Sequence, residues 1–421
     1  MKNKNKTKKI FSGFLKLLGP GLITGASDDD PSGIATYSQA GAQFGFATLW
    51  TALITFPLMA SIQEMCARIG AVTGEGLVSN IKKHYSLTIL YLVLFFCIPA
   101  IILNIGADIA GMGAVTHLLI PAVPTYVFSI LFTLILTIAI VFLPYQKIAA
   151  VLKYLCLSLL LYLIIPFLIK PDLLQVLKYT FIPTIHFNKE FINILVAILG
   201  TTISPYLFFW QATMVVEHKK HQIKKVIVNK RTMSEVKFDI QFGMLFSNLI
   251  MYFIILTTGA TLFKAGIQHI DTVEQAAKAL EPLAGRFAYL LFALGVIGTG
   301  LLAIPVLTGC LSYTLSATFN WRGSLDKKYY QAKAFYGTIF ISLILGLSIN
   351  FVGISVIDAL IYTAIFYGII APILILIVLH MANNKKIMGN FTNNRLSNIL
   401  GFITFFLMLA AIILLIYFQI Y

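Results

Sequence analysis

The stretch GPGLITGASDDDPSGIATYSQAG, residues 19–41, sets three consecutive aspartates in the middle of an otherwise apolar run. Pro31 follows Asp30 directly, and Ser32 and Gly33 come next. Proline removes a backbone donor and disfavours helical geometry at the residue before it. Glycine loosens the next turn. The stretch therefore reads as a broken helix whose freed carbonyls meet Asp28, Asp29 and Asp30 near mid-membrane. The competing reading is an aqueous loop between two short helices, although each half is short for an independent span. A carboxylate inside a bilayer is expensive, so it points to function by default.

The rest of the chain supports a membrane setting. Of 421 residues, 59% are hydrophobic and 11% are charged, and the mean hydropathy is +0.89. A soluble domain carries about 25% charge, so soluble, disordered and fibrous chains are excluded. A crossing helix needs roughly 20 mostly apolar residues. About eleven such runs are present: 13–43 (interrupted), 46–70, 87–118, 122–143, 147–169, 190–217 (interrupted), 240–263, 284–316, 333–352, 355–380 and 397–420.

The formal charge of +15 then becomes an orientation code. With the N-terminus inside, 25 of the 31 basic residues fall on the inner side. The outer side holds Lys170, Lys178, Lys189, Lys264, Lys278 and Arg286. Basic residues concentrate on cytoplasmic loops, so the expectation is a multi-pass cell-membrane protein, N-terminus cytoplasmic and C-terminus extracellular. Lys16 interrupts the first apolar stretch, which argues against a cleaved signal peptide. The basic N-terminus and the 218–237 loop read as topology determinants that touch anionic lipid, with no nucleic acid as partner.

Cys66, Cys97, Cys156 and Cys310 are scattered at no metal or disulfide spacing and read as packing residues. The seven histidines show no metal-ligand pairing within a span. No nucleotide loop or nucleophile–base set is present, so an enzyme is not expected. Most acidic residues lie in loops; the exceptions are Asp28, Asp29, Asp30, Asp108, Asp358 and, near a helix end, Glu64.

A second break is expected in ILVAILGTTISPYLFFWQATMVVEH, residues 194–218, over Gly200 to Pro205; a simple proline kink is the alternative. Breaks in the first and sixth spans would open two five-span repeats of opposite orientation, the pattern of inverted-repeat transporters with a site between the unwound segments. The organisation expected is a basic N-terminus (1–12), a first repeat (13–170), an extracellular loop (171–189), a second repeat (190–381), and a loop with helix 11 (382–421). Carboxylates, hydroxyls and freed carbonyls form an all-oxygen set, which suits hard cations such as Mg²⁺, Ca²⁺ and Mn²⁺. Neither break contains Met, Cys or His.

DPSGIAT (30–36), QAGAQFGFATLW (39–50) and ARIGAVTG (67–74) resemble the Nramp family of divalent-metal transporters. The resemblance extends over helices 1 to about 10. It implies an all-α membrane protein of LeuT-like fold, with inverted five-helix repeats, broken helices 1 and 6, and about 11 transmembrane helices. A monomer is the default state for that fold. Asp30 and Pro31 keep the first two residues of the family's Asp-Pro-Gly-Asn. Ser32 replaces the Gly, and Gly33 replaces the metal-ligating Asn. Ser204-Pro205-Tyr206 stands in place of Met-Pro-His. Ser27 and Thr201 fall where the family uses backbone carbonyls as ligands. Asp108 matches an Asp of the family's proton route, Gly111 replaces the Glu after it, and the helix-6 histidines fall at Tyr206 and Gln211.

These departures resemble the Nramp-related magnesium transporters. The resulting expectation is inward transport of Mg²⁺, with Mn²⁺ also possible as cargo, by alternating access and without obligatory proton coupling. Asp30 would be the primary ligand, completed by Ser204 and the carbonyls of Ser27 and Thr201. Asp28 and Asp29 would bind directly or attract cations. Asp358 reads equally as a pathway residue or as a structural hydrogen-bond partner. No cofactor is implied. The alternatives are proton-coupled Mn²⁺ or Fe²⁺ transport, an organic-solute symporter of the same fold, and a channel.

Overall fold

The computed structural model describes residues 20–143, 163, 167, 170–220, 230–281, 285 and 288–420. Every regular element among them is helical. The first apolar run forms two helices, α1 (Pro20–Asp28) and α2 (Pro31–Phe44), on either side of Asp29 and Asp30. There follow α3 (Trp50–Thr73), the short α4 (Leu77–His84), α5 (Leu87–Leu119) and α6 (Thr125–Phe142). The fifth run, 147–169, falls almost wholly outside the described residues.

The stretch expected as an outer loop carries a helix, α7 (Leu173–Phe181). The Asp172 carboxylate caps it by accepting from the amides of Leu174 and Gln175. The sixth run is again two helices, α8 (Lys189–Thr202) and α9 (Pro205–Lys220). Then come α10 (Lys230–Thr258), continued by a π turn at Gly259–Phe263, α11 (Ala288–Phe319), α12 (Lys333–Ile349), α13 (Val356–Asn383) and α14 (Arg395–Ile420).

Seven helical stretches among the described residues are long and apolar enough to cross a bilayer, the α8–α9 pair counting as one. Large apolar side chains point outward along them; Phe95 is 73% and Phe142 77% exposed. Soluble proteins rarely expose so much contiguous apolar surface, whereas a bilayer covers it.

Both breaks have the same local cause. Pro31 and Pro205 open α2 and α9 at the first helical position. There the missing N–H costs nothing, because that donor has no partner inside the helix. The preceding residues, Asp30 and Ser204, are driven out of helical geometry. Asp30 has φ −69° and ψ 173°, and its carboxylate accepts from the Gly33 amide at 2.8 Å.

Small residues let the broken helices pack tightly against neighbours. α1 lies on α10, and a Cβ at Gly25 would overlap the carbonyl of Gly243. α8 lies on α13, where Gly200 meets Ala364 and Gly368 in the same way. Close backbone approach at small residues is the usual means of helix association in lipid. α1 has a further anchor, because the Asp239 carboxylate on α10 accepts from the Gly21 amide at 2.7 Å. It thereby satisfies a first-turn donor that has no partner within α1.

Candidate functional site

The two breaks face each other, and the Tyr206 hydroxyl donates to the Ser27 carbonyl at 2.9 Å. This contact ties the end of α1 to the start of α9. One turn earlier in α1, the Thr24 hydroxyl donates to Gln211 Oε1 at 2.6 Å. Ser204 turns back on the end of α8, its hydroxyl reaching the Thr201 carbonyl at 2.5 Å and that of Gly200 at 3.2 Å. The two carbonyls expected from the resemblance as ligands, those of Ser27 and Thr201, each hold a hydroxyl donor in this structure. Both donors come from positions where the sequence departs from the family pattern.

Asp28, Asp29, Asp30 and Asp108 are all buried. Each oxygen of the Asp30 carboxylate has one donor: the Gly33 amide on Oδ1, and Asn104 Nδ2 on Oδ2 at 2.9 Å. A carboxylate oxygen has a second lone pair, so both oxygens keep capacity for a cation. Asn104 also lies 3.4 Å from Asp108 Oδ2 and so links the two acids. Asp108 Oδ1 and Asn104 Oδ1 are buried without a hydrogen-bond partner among the described residues. Asp28 and Asp29 turn the other way, toward α10. The Ser247 hydroxyl lies 3.0 Å from Asp28 Oδ2 and 3.2 Å from Asp29 Oδ1.

None of these four acids forms an ion pair with a described residue. Burying an unpaired ionised carboxylate costs several kcal/mol or more. The cluster must therefore be neutralised by cations or protons whenever it is buried in this way.

Other predicted residues fall as follows. Gly33 is tightly confined: a Cβ there would sit 3.1 Å from the Asp28 carbonyl and 3.4 Å from Thr201 Oγ1. Gly111 faces the break, with a Cβ built on it 3.4 Å from Pro31. The Ser32 hydroxyl donates to the Leu360 carbonyl on α13 at 2.6 Å. Asp358 is not brought to the break. It is exposed in the first turn of α13, where its amide donates to the Ser355 hydroxyl and its carboxylate accepts from it. Its contacts are those of a helix start, with Ser355 as the capping residue.

Sequence reasoning missed Asn104, Ser247 and Tyr367. Asn104 had a signal, an amide one turn before Asp108 inside an apolar run. Ser247, in the seventh run, had none apart from polarity. The Tyr367 ring lies 5.5 Å from that of Tyr206, and its hydroxyl is buried without a hydrogen-bond partner among the described residues. Sulfur is absent from the breaks themselves but arrives from neighbouring helices. Met251 Sδ on α10 accepts from the Thr202 hydroxyl at 3.6 Å, and Met112 on α5 packs close to Gly300 beside Pro31.

Known proteins share this fold. A divalent metal cation transporter MntH from Caldanaerobacter subterraneus is 26% identical over 397 residues, covering 92% of this chain and 89% of the relative. The protein of that name from Bacillus subtilis is 24% identical over 409 residues, covering 95% and 91%. Among solved structures, the Eremococcus coleocola manganese transporter superposes with a TM-score of 0.72 at 18% identity, covering 98% of this chain and 95% of that one. Mhp1, a nucleobase-cation-symport-1 family transporter, superposes with a TM-score of 0.57 at 13% identity, covering 94% and 92%. At such identities these structures speak for the fold alone: an all-α membrane protein of LeuT-like architecture with broken first and sixth helices. The model of the Nramp family, described as natural resistance-associated macrophage protein-like, matches residues 21–418, and the chain belongs to that family.

Proposed function

We propose that this protein carries a divalent metal cation, Mg²⁺ foremost and Mn²⁺ second, into the cytoplasm by alternating access without proton coupling. The observation that carries the cation reading is the burial of Asp28, Asp29 and Asp30 at the first helix break, with Asp108 linked to Asp30 through Asn104 and no ion-pair partner for any of them among the described residues. The names of the curated relatives support a divalent metal as cargo. Asp30 is the primary ligand in this reading. The Ser27 and Thr201 carbonyls, the Ser204 hydroxyl and Gly33 line the rest of the site.

Support for Mg²⁺ comes from what replaces sulfur and imidazole. Ser204 and Tyr206 put oxygen where sulfur and imidazole would stand, and each hydroxyl rests on a backbone carbonyl in this structure. Mg²⁺ dehydrates reluctantly and keeps several waters, so a ring of hydroxyls suits it better than a thioether. Gly111 and Gln211 do not titrate, and Tyr206 does so only far above neutral pH. A proton wire through these positions has no carrier at neutral pH. The inner N-terminus and outer C-terminus suggested by the basic residues, and a monomeric state, belong to this reading.

The Met251 thioether beside Thr202 favours a second reading, in which Mn²⁺ is the preferred cargo. Reconstitution in liposomes separates the two. Wild-type protein should pass Mg²⁺ at millimolar concentration and Asp30→Ala should pass none while remaining folded. Undiminished flux in Asp30→Ala would refute the assigned site, and flux of Mn²⁺ alone would select the second reading.

A further inference from the structure

The three consecutive aspartates do not share one environment. Asp30 faces α5 through Asn104, while Asp28 and Asp29 face α10 through Ser247. The two groups leave the same break in different directions.

The α10 side is short of donors. Ser247 has one hydroxyl proton, and two carboxylates converge on it from 3.0 and 3.2 Å. The proton can be given to one acid at a time. Asp28 Oδ1 and Asp29 Oδ2 are buried with no hydrogen-bond partner among the described residues, and both residues are at most 1% exposed. Two carboxylates this close cannot both stay ionised without a compensating charge. A hard divalent cation bound between them would match their charge and take the two orphaned oxygens as ligands. Asp30 cannot supply that balance, being itself an acid with donors of its own.

We propose that Asp28, Asp29 and Ser247 form a second station for a hard divalent cation, beside the one at Asp30, so that the pathway holds two ions at saturation. The proposal rests on the reading of Asp30 as a cation ligand and adds a separate site to it. The α10 face that carries it is continuous: Gly243, Ser247 and Met251 are spaced by four residues. Gly243 admits α1 closely enough for the acids to reach Ser247.

Equilibrium dialysis of the purified full chain in detergent, against Mg²⁺ and separately against Mn²⁺, tests this by counting bound ions. Wild-type protein should bind two ions per chain at saturation. The double variant Asp28→Asn/Asp29→Asn should bind one, and Asp30→Asn should also bind one. Ser247→Ala, a milder change that removes only the shared hydroxyl, should keep two ions with one of them held several-fold more weakly. A wild-type protein that binds a single ion, lost in Asp30→Asn and kept in the double variant, would overturn the second station and leave the Asp30 reading standing. The same holds if the acids share a proton instead, because the count is then one. Binding of no ion by the wild type would overturn both.

Discussion

At the scale of single residues, the most informative contacts are the two hydroxyls that occupy backbone carbonyls. Tyr206 holds the Ser27 carbonyl and Ser204 holds that of Thr201. An ion that uses either carbonyl directly must displace its hydroxyl or share the oxygen with it. Tyr206→Phe removes the first competitor. It should lower the thermal stability of the metal-free protein, since a buried carbonyl left unpaired costs about 1–3 kcal/mol. It should also increase the stabilisation gained on adding Mg²⁺. Thermal unfolding with and without the ion measures both, and an unchanged metal response would show that the Ser27 carbonyl takes no part. Ser204→Met returns a thioether to the break. It should raise Mn²⁺ over Mg²⁺ preference by about tenfold, equivalent to about 1.4 kcal/mol, in competition flux assays. The single substitution tests the ligand argument better than a pairing with Gly33→Asn, because Gly33 has little room for a side chain.

At the scale of elements, the helix breaks were legible in the sequence because their cause is local. A proline at 31 or 205 disfavours helix at the residue before it, and the Gly, Ser, Thr and Asp around these two set them apart from Pro57, Pro99, Pro305 and Pro372, which lie inside helices. Asp30, Ser204 and Tyr206 could be singled out for the same reason. The partners that complete the cluster were not legible, since Asn104 and Ser247 lie on helices that meet the break only after folding. Asp358 lies exposed at the start of α13 and away from the break. Its acidic side chain near an apolar run looked intramembrane, whereas Ser355 three residues earlier marks a helix start. The packing of α1 on α10 and of α8 on α13 also depends on tertiary contact, through glycines with no room for a side chain. Gly25→Leu and Gly200→Leu should each destabilise the fold by several kcal/mol, because the overlap is with backbone that cannot move aside. Both should lose monodisperse protein in size-exclusion chromatography. Gly111→Ala should be well folded, since a Cβ there makes ordinary contact with Pro31 and Leu360.

At the scale of the whole molecule, the sequence foretold a helical membrane protein, and the family match supports its architecture. Orientation itself has a direct check. Cysteine placed at Lys385 should react with a membrane-impermeant thiol reagent only from the cytoplasmic side, and cysteine at Lys189 only from the outside. Background should be low at the three native thiols described, which are buried. The reverse pattern would invert the topology. The energetics of uncoupled uptake follow from the charge carried. One charge crossing 100 mV gains about 2.3 kcal/mol, so a divalent ion gains about 4.6 kcal/mol. A potential negative inside can therefore concentrate the ion without a proton gradient. The central claim is most directly tested by reconstituting the wild-type protein in liposomes under an imposed inside-negative potential, and following Mg²⁺ entry and internal pH together. Mg²⁺ entry that grows with the potential, at constant internal pH, is the predicted result; no Mg²⁺ entry, or acidification that tracks it, would contradict the account.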